Sequence, residues 1–243
     1  MPLTITTLLT TLTATLGVAN PVAVRLGPSD STSIGGVPVV EIPAGSTASS
    51  TLAVILSGDG GWAAGDRAMA AELAESGVGV VGIDVPSYLR VKRTPDEAGA
   101  DLDRLLEHYL QTWHKSKVIL IGYSHGADIV PFMASRLPQD LKSRVLLVAM
   151  LGLSSSASFE FHFSDVVADI SHQGDLPTLP EVEKLRGIPL LCVKGEGERH
   201  SFCDELPPSL AQVEVHPGGH RIVGSRGRAT AEIVLTAVKA KEI

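Results

Sequence analysis

Positive charge is in deficit along this chain. Lys and Arg number 20 against 27 Asp and Glu, a formal net charge of −7. That balance argues against a general nucleic-acid binder and against broad adsorption to anionic membranes. Long apolar runs are missing too: no stretch reaches about 18 residues, so nothing in the body of the chain spans a bilayer as a helix. The opening, MPLTITTLLTTLTATLGVAN, holds no charge at all. It has the apolar middle and the small residues (Gly17, Ala19) of an export signal over residues 1–19, without the positive start. A Thr-rich strand fits it equally. Cysteine is rare, with Cys192 and Cys203 alone. In an exported chain they can close one short loop as a disulfide worth about 2–3 kcal/mol; otherwise they are two thiols, one in a strand. Internal repeats are absent. No Lys-Ser/Thr follows the glycine-rich SGDGGW (57–62), so a nucleotide-binding P-loop is not expected. His216 and His220 are four apart, but Pro217-Gly218-Gly219 keeps them off one helical face, and no zinc-like cluster is present.

What remains is an ordinary globular composition, 44% hydrophobic and 19% charged over 243 residues, enough for one large domain. Residues 20–50 are a loose Ser/Gly/Thr/Pro lead-in with one short strand, Val37 to Ile42. From residue 51 the pattern is regular. Apolar runs at 51–58, 78–84, 117–124, 144–154, 188–195 and 212–219 predict strands. Between them, Met69, Leu73 and Ala74 sit at helical spacing before Gly77. Thr94-Pro95 with Glu97 forms a capping box ahead of Leu102, Leu105, Leu106, Tyr109, Leu110 and Trp113. A third helix over 126–137 carries Pro131, which predicts a kink or a lost hydrogen bond. A last helix runs from about Arg228 to Ala240. Alternating helices and fully apolar strands predict an α/β fold, a mostly parallel sheet covered on both faces, over residues 51–243.

Into this frame falls VILIGYSHGADIVPF (118–132). Gly122-Tyr123-Ser124-His125-Gly126 is G-x-S-x-G with a strand before it and a helix after it, the setting of a nucleophile elbow. A serine nucleophile needs a general base, and His220, beyond the last strand and after a Pro-Gly-Gly turn, can reach Ser124. His125 adjoins the serine, but its backbone N–H matters more than its ring. The third member must lie between Ser124 and His220 in sequence. KGEGERHSFCDEL offers Glu196, Glu198, Asp204 and Glu205; Glu198, three past the strand-ending glycine, is the choice, with Asp204 in reserve. An oxyanion hole is expected from the N–H of His125 with that of Asp59 or Gly60.

These pieces resemble the α/β-hydrolase superfamily and, more narrowly, the bacterial virulence protein family of VirJ and AcvB type. The resemblance covers about residues 51–240. It rests on LSGDGGWAAGDRAMAAELAESGVGVVGIDV, RTPDEAGADL, IGYSHGADIVPF, RLPQDLKSRV, MLGLSSSASFEF, CVKGEGERHSFC and PGGH. It implies a periplasmic serine hydrolase and strengthens the export reading. It also implies an aminoacylated phosphatidylglycerol (lysyl-phosphatidylglycerol) as substrate, with peripheral membrane contact. Two stretches depart from the family pattern. VPSYLRVKR follows Asp84 where bulky aromatics are usual, and Arg221-Ile222 follow His220 where a histidine and an aromatic are usual. Both fall near the expected pocket. Trp62, Tyr88, Arg90 and Phe159 are the expected substrate contacts. Arg90, Lys92 and Arg93 meet an anionic headgroup or form a solvated loop. Residues 154–187 form a small cap in which Phe159, Phe161 and Phe163 touch an acyl chain or pack at a strand edge.

The reading is thus a carboxylic-ester hydrolase working through an acyl-enzyme, with neither cofactor nor metal. The alternatives are a non-catalytic periplasmic adaptor on the same scaffold, and acyl transfer to an acceptor other than water.

Overall fold

The computed structural model describes residues 32–45, 49–161, 174–199, 201–222 and 224–240; the expected export signal and Phe163 lie outside them. The chain enters through a hairpin, β1 (Thr32–Ile34) and β2 (Val37–Ile42), turned by Gly35 and Gly36 at φ +59° and +88°. Such a two-residue turn favours glycine. The remaining strands are β3 (Thr51–Leu56), β4 (Gly79–Ile83), β5 (Lys117–Tyr123), β6 (Val145–Leu151), the short pair β7 (Ser156–Ala157) and β8 (Leu176–Pro177), β9 (Leu190–Gly195) and β10 (Gln212–His216). All but β7 and β8 form one eight-stranded sheet in the order β1-β2-β4-β3-β5-β6-β9-β10. Every neighbour pair from β4 to β10 is parallel. β2 runs antiparallel along β4, pairing Val39 with Ile83. Val37–Ile42, expected as the one short strand of the lead-in, is a strand of the main sheet.

The helices are α1 (Ala64–Glu75), α2 (Val85–Tyr88), α3 (Pro95–Thr112), α4 (His125–Ser135), α5 (Gln139–Lys142), α6 (Leu179–Glu183) and α7 (Ser225–Lys239). Leu52, Val54 and Leu56 of β3 pack with α3 and α4, while Ala53 and Ile55 pack with α1 and α7. A strand with helices on both faces has no solvent side, which is why β3 carries no polar alternation. At the sheet edge β10, expected to be apolar throughout, alternates and is mostly exposed. The capping box of α3 forms as expected. The Thr94 N–H donates to Glu97 Oε2 at 2.7 Å, and the Glu97 N–H donates to Thr94 Oγ1 at 3.2 Å. Behind it Leu102, Leu105 and Leu106 are fully buried, each contributing about 1.5–3 kcal/mol by leaving water. α4 continues through Pro131 to Ser135, without the backbone bond that proline cannot donate.

Cys192 of β9 is joined to Cys203 by a disulfide with a Cα–Cα distance of 5.5 Å. Such a bond is compatible with an oxidising compartment. Among the described residues no helix is long and apolar enough to cross a membrane.

Candidate active site

Ser124 sits between the end of β5 and the first turn of α4 with φ +52° and ψ −123°. A non-glycine residue pays about 1–3 kcal/mol for such a backbone, which persists only where the surroundings enforce it. Here they do. A Cβ on Gly122 would lie 2.2 Å from the Gly126 carbonyl oxygen, and one on Gly126 would lie 2.3 Å from that of Leu56. Both glycines are therefore required by contact. The serine N–H donates to the Leu151 carbonyl at 2.8 Å, and its own carbonyl accepts from Ala127 at 2.7 Å.

Its partners come from the carboxyl ends of β9 and β10. His220 Nε2 lies 2.9 Å from Ser124 Oγ, and Nδ1 lies 2.7 Å from Glu198 Oε1. Because a carboxylate only accepts, Nδ1 carries the proton and Nε2 is left to accept the serine O–H. Glu198 is held from the other side by the Gly195 N–H, which donates to Oε2 at 3.0 Å. Burial works against its charge, but the bonds from His220 and Gly195 outweigh that and hold its carboxyl below the usual range. Asp204, the reserve acid, points elsewhere and forms a salt bridge with Lys194.

Tyr123 steadies the histidine. Its hydroxyl accepts from the Ile222 N–H at 3.1 Å and donates to the His220 carbonyl at 3.3 Å, and its ring stacks beside the imidazole at 5.9 Å. Nothing in the spacing of the sequence pairs residues 97 and 99 positions apart, so this role was not legible there.

The loop after β3 crosses the serine. A Cβ on Gly58 would lie 3.0 Å from Ser124 Cβ, which brings Asp59 and Gly60 beside the nucleophile. Opposite them, the His125 N–H opens α4 and has no acceptor within its own helix. The loop that carries Asp59 and Gly60 and the first turn of α4 thus meet at Ser124. The His125 ring does more than the sequence suggested: Nδ1 lies 2.8 Å from Asp59 Oδ1 and Nε2 lies 2.8 Å from the Ser158 carbonyl. The far end of the loop is pinned where the Trp62 N–H donates to Asp84 Oδ2 at 2.8 Å.

Of the four expected substrate contacts, two lie on the surface. Trp62 and Arg90 line a groove of about 420 Å³ with Asp84, Ser87, Ser33 and Val39 at the carboxyl end of β4, a lining that includes none of Ser124, His220 and Glu198. Tyr88 does not reach it: the residue is buried, and its hydroxyl donates to Asp101 at 2.8 Å. Phe159 is buried too, edge-on against Phe132 at 5.2 Å, so the expected contact is a core residue instead. Among the basic residues, Arg93 pairs with Asp101 at 3.1 Å and Lys92 with Glu160 at 3.1 Å. Among the described residues no cluster of His, Cys, Asp or Glu is arranged to hold a metal ion.

The chain resembles several solved structures. MenH from S. aureus is 14% identical, with 84% of this chain and 99% of that one covered at a TM-score of 0.61. Est1E from Butyrivibrio proteoclasticus is also 14% identical, covering 84% and 96% at 0.58. Naproxen esterase from Bacillus subtilis is 16% identical, covering 85% and 88% at 0.56. At such identities the likeness shows the fold, that of the α/β-hydrolases. Among curated proteins none matches. The family model described as bacterial virulence protein (VirJ) matches residues 50–242, and on that span, nearly the whole described chain, this protein belongs to the VirJ family.

Proposed function

We propose that the chain is a serine ester hydrolase that works through an acyl-enzyme. The observation that carries the reading is the continuous relay from Ser124 Oγ through His220 to Glu198, with distances of 2.9 and 2.7 Å, at a strained strand–helix elbow. In the first step the Ser124 oxygen attacks the ester carbonyl while its proton passes to His220 Nε2. Glu198 stabilises the imidazolium, and the N–H of His125 with that of Asp59 or Gly60 receives the developing oxyanion. The protonated His220 then gives its proton to the departing alkoxide. Water, deprotonated by the same nitrogen, releases the acid and restores the serine.

The finer reading is an aminoacylated phospholipid, such as aminoacyl-phosphatidylglycerol, hydrolysed in the periplasm by a protein in peripheral contact with the membrane. Membership of the VirJ family supports it, as does the Cys192–Cys203 bond, which fits an oxidising compartment. Arg90, in the groove beside Trp62, is the proposed headgroup contact.

A fluorophosphonate probe tests the chemistry. Wild-type protein should label and hydrolyse an activated ester; Ser124→Ala should do neither at an unchanged melting temperature. Unaltered turnover in that variant would remove the enzyme reading, and a wild-type serine that never labels would favour a binding role. Lipid extracts incubated with the wild type and analysed by mass spectrometry then identify the ester.

A further inference from the structure

We infer that His125 is a positioning residue for the oxyanion hole, its doubly protonated imidazole tying the loop that offers one donor to the helix that offers the other. This rests on the hydrolase reading above and adds to it a second histidine, one residue from the nucleophile, with a task unlike that of His220.

The hydrogen bonds fix the protonation. The Ser158 carbonyl, 2.8 Å from Nε2, can only accept, so Nε2 carries a proton. The Asp59 carboxylate, 2.8 Å from Nδ1, also accepts, so Nδ1 carries the second. A neutral ring would set a lone pair against one of these oxygens. The charged groups that face the imidazole are Asp59, from the loop after β3, and Asp128, from its own helix. The segment after β6 presents the Ser158 carbonyl and carries Glu160, itself paired with Lys92. Burial disfavours the charged ring, but Asp59, the Ser158 carbonyl and Asp128 outweigh it and raise its pKa to about 9.

The consequence is geometric. Gly58 packs on Ser124, and Asp59 follows it directly. The loop is anchored upstream, where the Ser57 N–H donates to the Ile83 carbonyl at 3.0 Å, and downstream at Trp62. Between these anchors, His125 is the side chain that pulls Asp59 toward α4. A ring that loses one proton keeps the one on Nδ1, which the Asp59 carboxylate accepts, and gives up the one on Nε2. Lone-pair repulsion replaces the bond to the Ser158 carbonyl, and the imidazole no longer holds Asp59 from a fixed seat. Residues 58–60 are then free to leave the serine while Ser124, His220 and Glu198 stay in place. The effect belongs on kcat, since an oxyanion donor acts in the transition state.

The test is the pH dependence of kcat and KM for p-nitrophenyl butyrate between pH 6 and 10, with Ser124→Ala as the blank. In the wild type kcat should fall as pH rises through about 9, with KM moving less. Asp59→Asn removes the charge that favours the imidazolium, so the fall should move at least about one pH unit lower. His125→Phe keeps the volume but cannot titrate; its profile should lack this fall, with kcat at pH 7.5 reduced about tenfold or more. Nitrogen NMR of histidine-labelled wild type, assigned by loss of one ring in His125→Phe, should show both nitrogens of that ring protonated at pH 7.5. This reading stands even where Asp59→Asn fails to fold. A fall that neither substitution moves, or a ring that is neutral at pH 7.5 in an active enzyme, overturns the inference alone. A wild type that turns over no ester yet holds the doubly protonated ring sinks the hydrolase reading instead.

Discussion

Glu198, Ser124 and Tyr123 all bear on the His220 imidazole before any substrate arrives, and each contact has its own signature. Glu198 fixes the tautomer, so Glu198→Gln should lower kcat by about 10³–10⁴, as expected when an acceptor behind the ring becomes a possible donor. Asp204→Asn gives the contrast. Its pairing with Lys194 is half exposed, worth about 0–1 kcal/mol, and steady-state kinetics should find kcat within about twofold of wild type. Tyr123→Phe removes only the hydroxyl that grips the backbone at 220 and 222. It should cost about tenfold in kcat with little change in KM, because a displaced base is felt mainly in the transition state.

At the scale of elements, the disulfide matters through what it encloses. Glu198 lies between Cys192 and Cys203, and the bond ties the middle of β9 to the 3₁₀ turn Phe202–Glu205. Replacing both cysteines by serine should lower stability in urea by about 2–3 kcal/mol. It should also lower kcat, as the carboxylate loses a fixed base. Equal stability in the two proteins would show that packing alone holds this loop. Most of this frame was legible in the sequence, because buried parallel strands and amphipathic helices write their period directly into the apolar residues. The elbow glycines and the capping box at Thr94 came from local spacing in the same way, whereas the choice of Glu198 over Asp204 leaned on where the hydrolase fold commonly places its acid. The β1–β2 hairpin was half missed: Thr32–Ile34 is three mostly exposed residues with no apolar signal. Tyr88 was misplaced because α2, begun by the Asp84 side chain accepting from the Ser87 N–H at 2.9 Å, turns it inward onto Asp101. The Asp59–His125 bond spans 66 positions, and no periodicity carries a contact of that range.

For the whole molecule, three of the described groups with shifted pKa values show how stability follows pH. Asp66 of α1 is buried with one oxygen, Oδ1, unpaired. Burial is the main cause that raises its pKa from 3.8 to about 6. The folded state therefore resists its ionisation, and the stability tied to the protonated form is lost as pH rises from about 4 through about 6. His125 acts in the same direction at higher pH. Its contribution is full below about 6.5 and lost as pH rises through about 9. Glu198 opposes both, since its lowered pKa contributes stability at neutral pH that disappears on acidification. Urea unfolding at pH 4 and pH 7 should show the first term. Asp66→Asn should gain on wild type between those values by up to about 3 kcal/mol, whatever its absolute stability. A difference that does not vary with pH would mean that Asp66 ionises as easily folded as unfolded.

Serine and histidine come from strands that are not neighbours: β6 and β9 lie between β5 and β10. The imidazole must ride over the end of β6, where Gly152 turns at φ +72° and a Cβ would sit 2.7 Å from the ring carbon Cε1. One hydrogen atom is all the side chain this saddle admits. If position 152 were randomised and the survivors chosen for ester cleavage, glycine alone should return, while a sort for folded protein would be more forgiving.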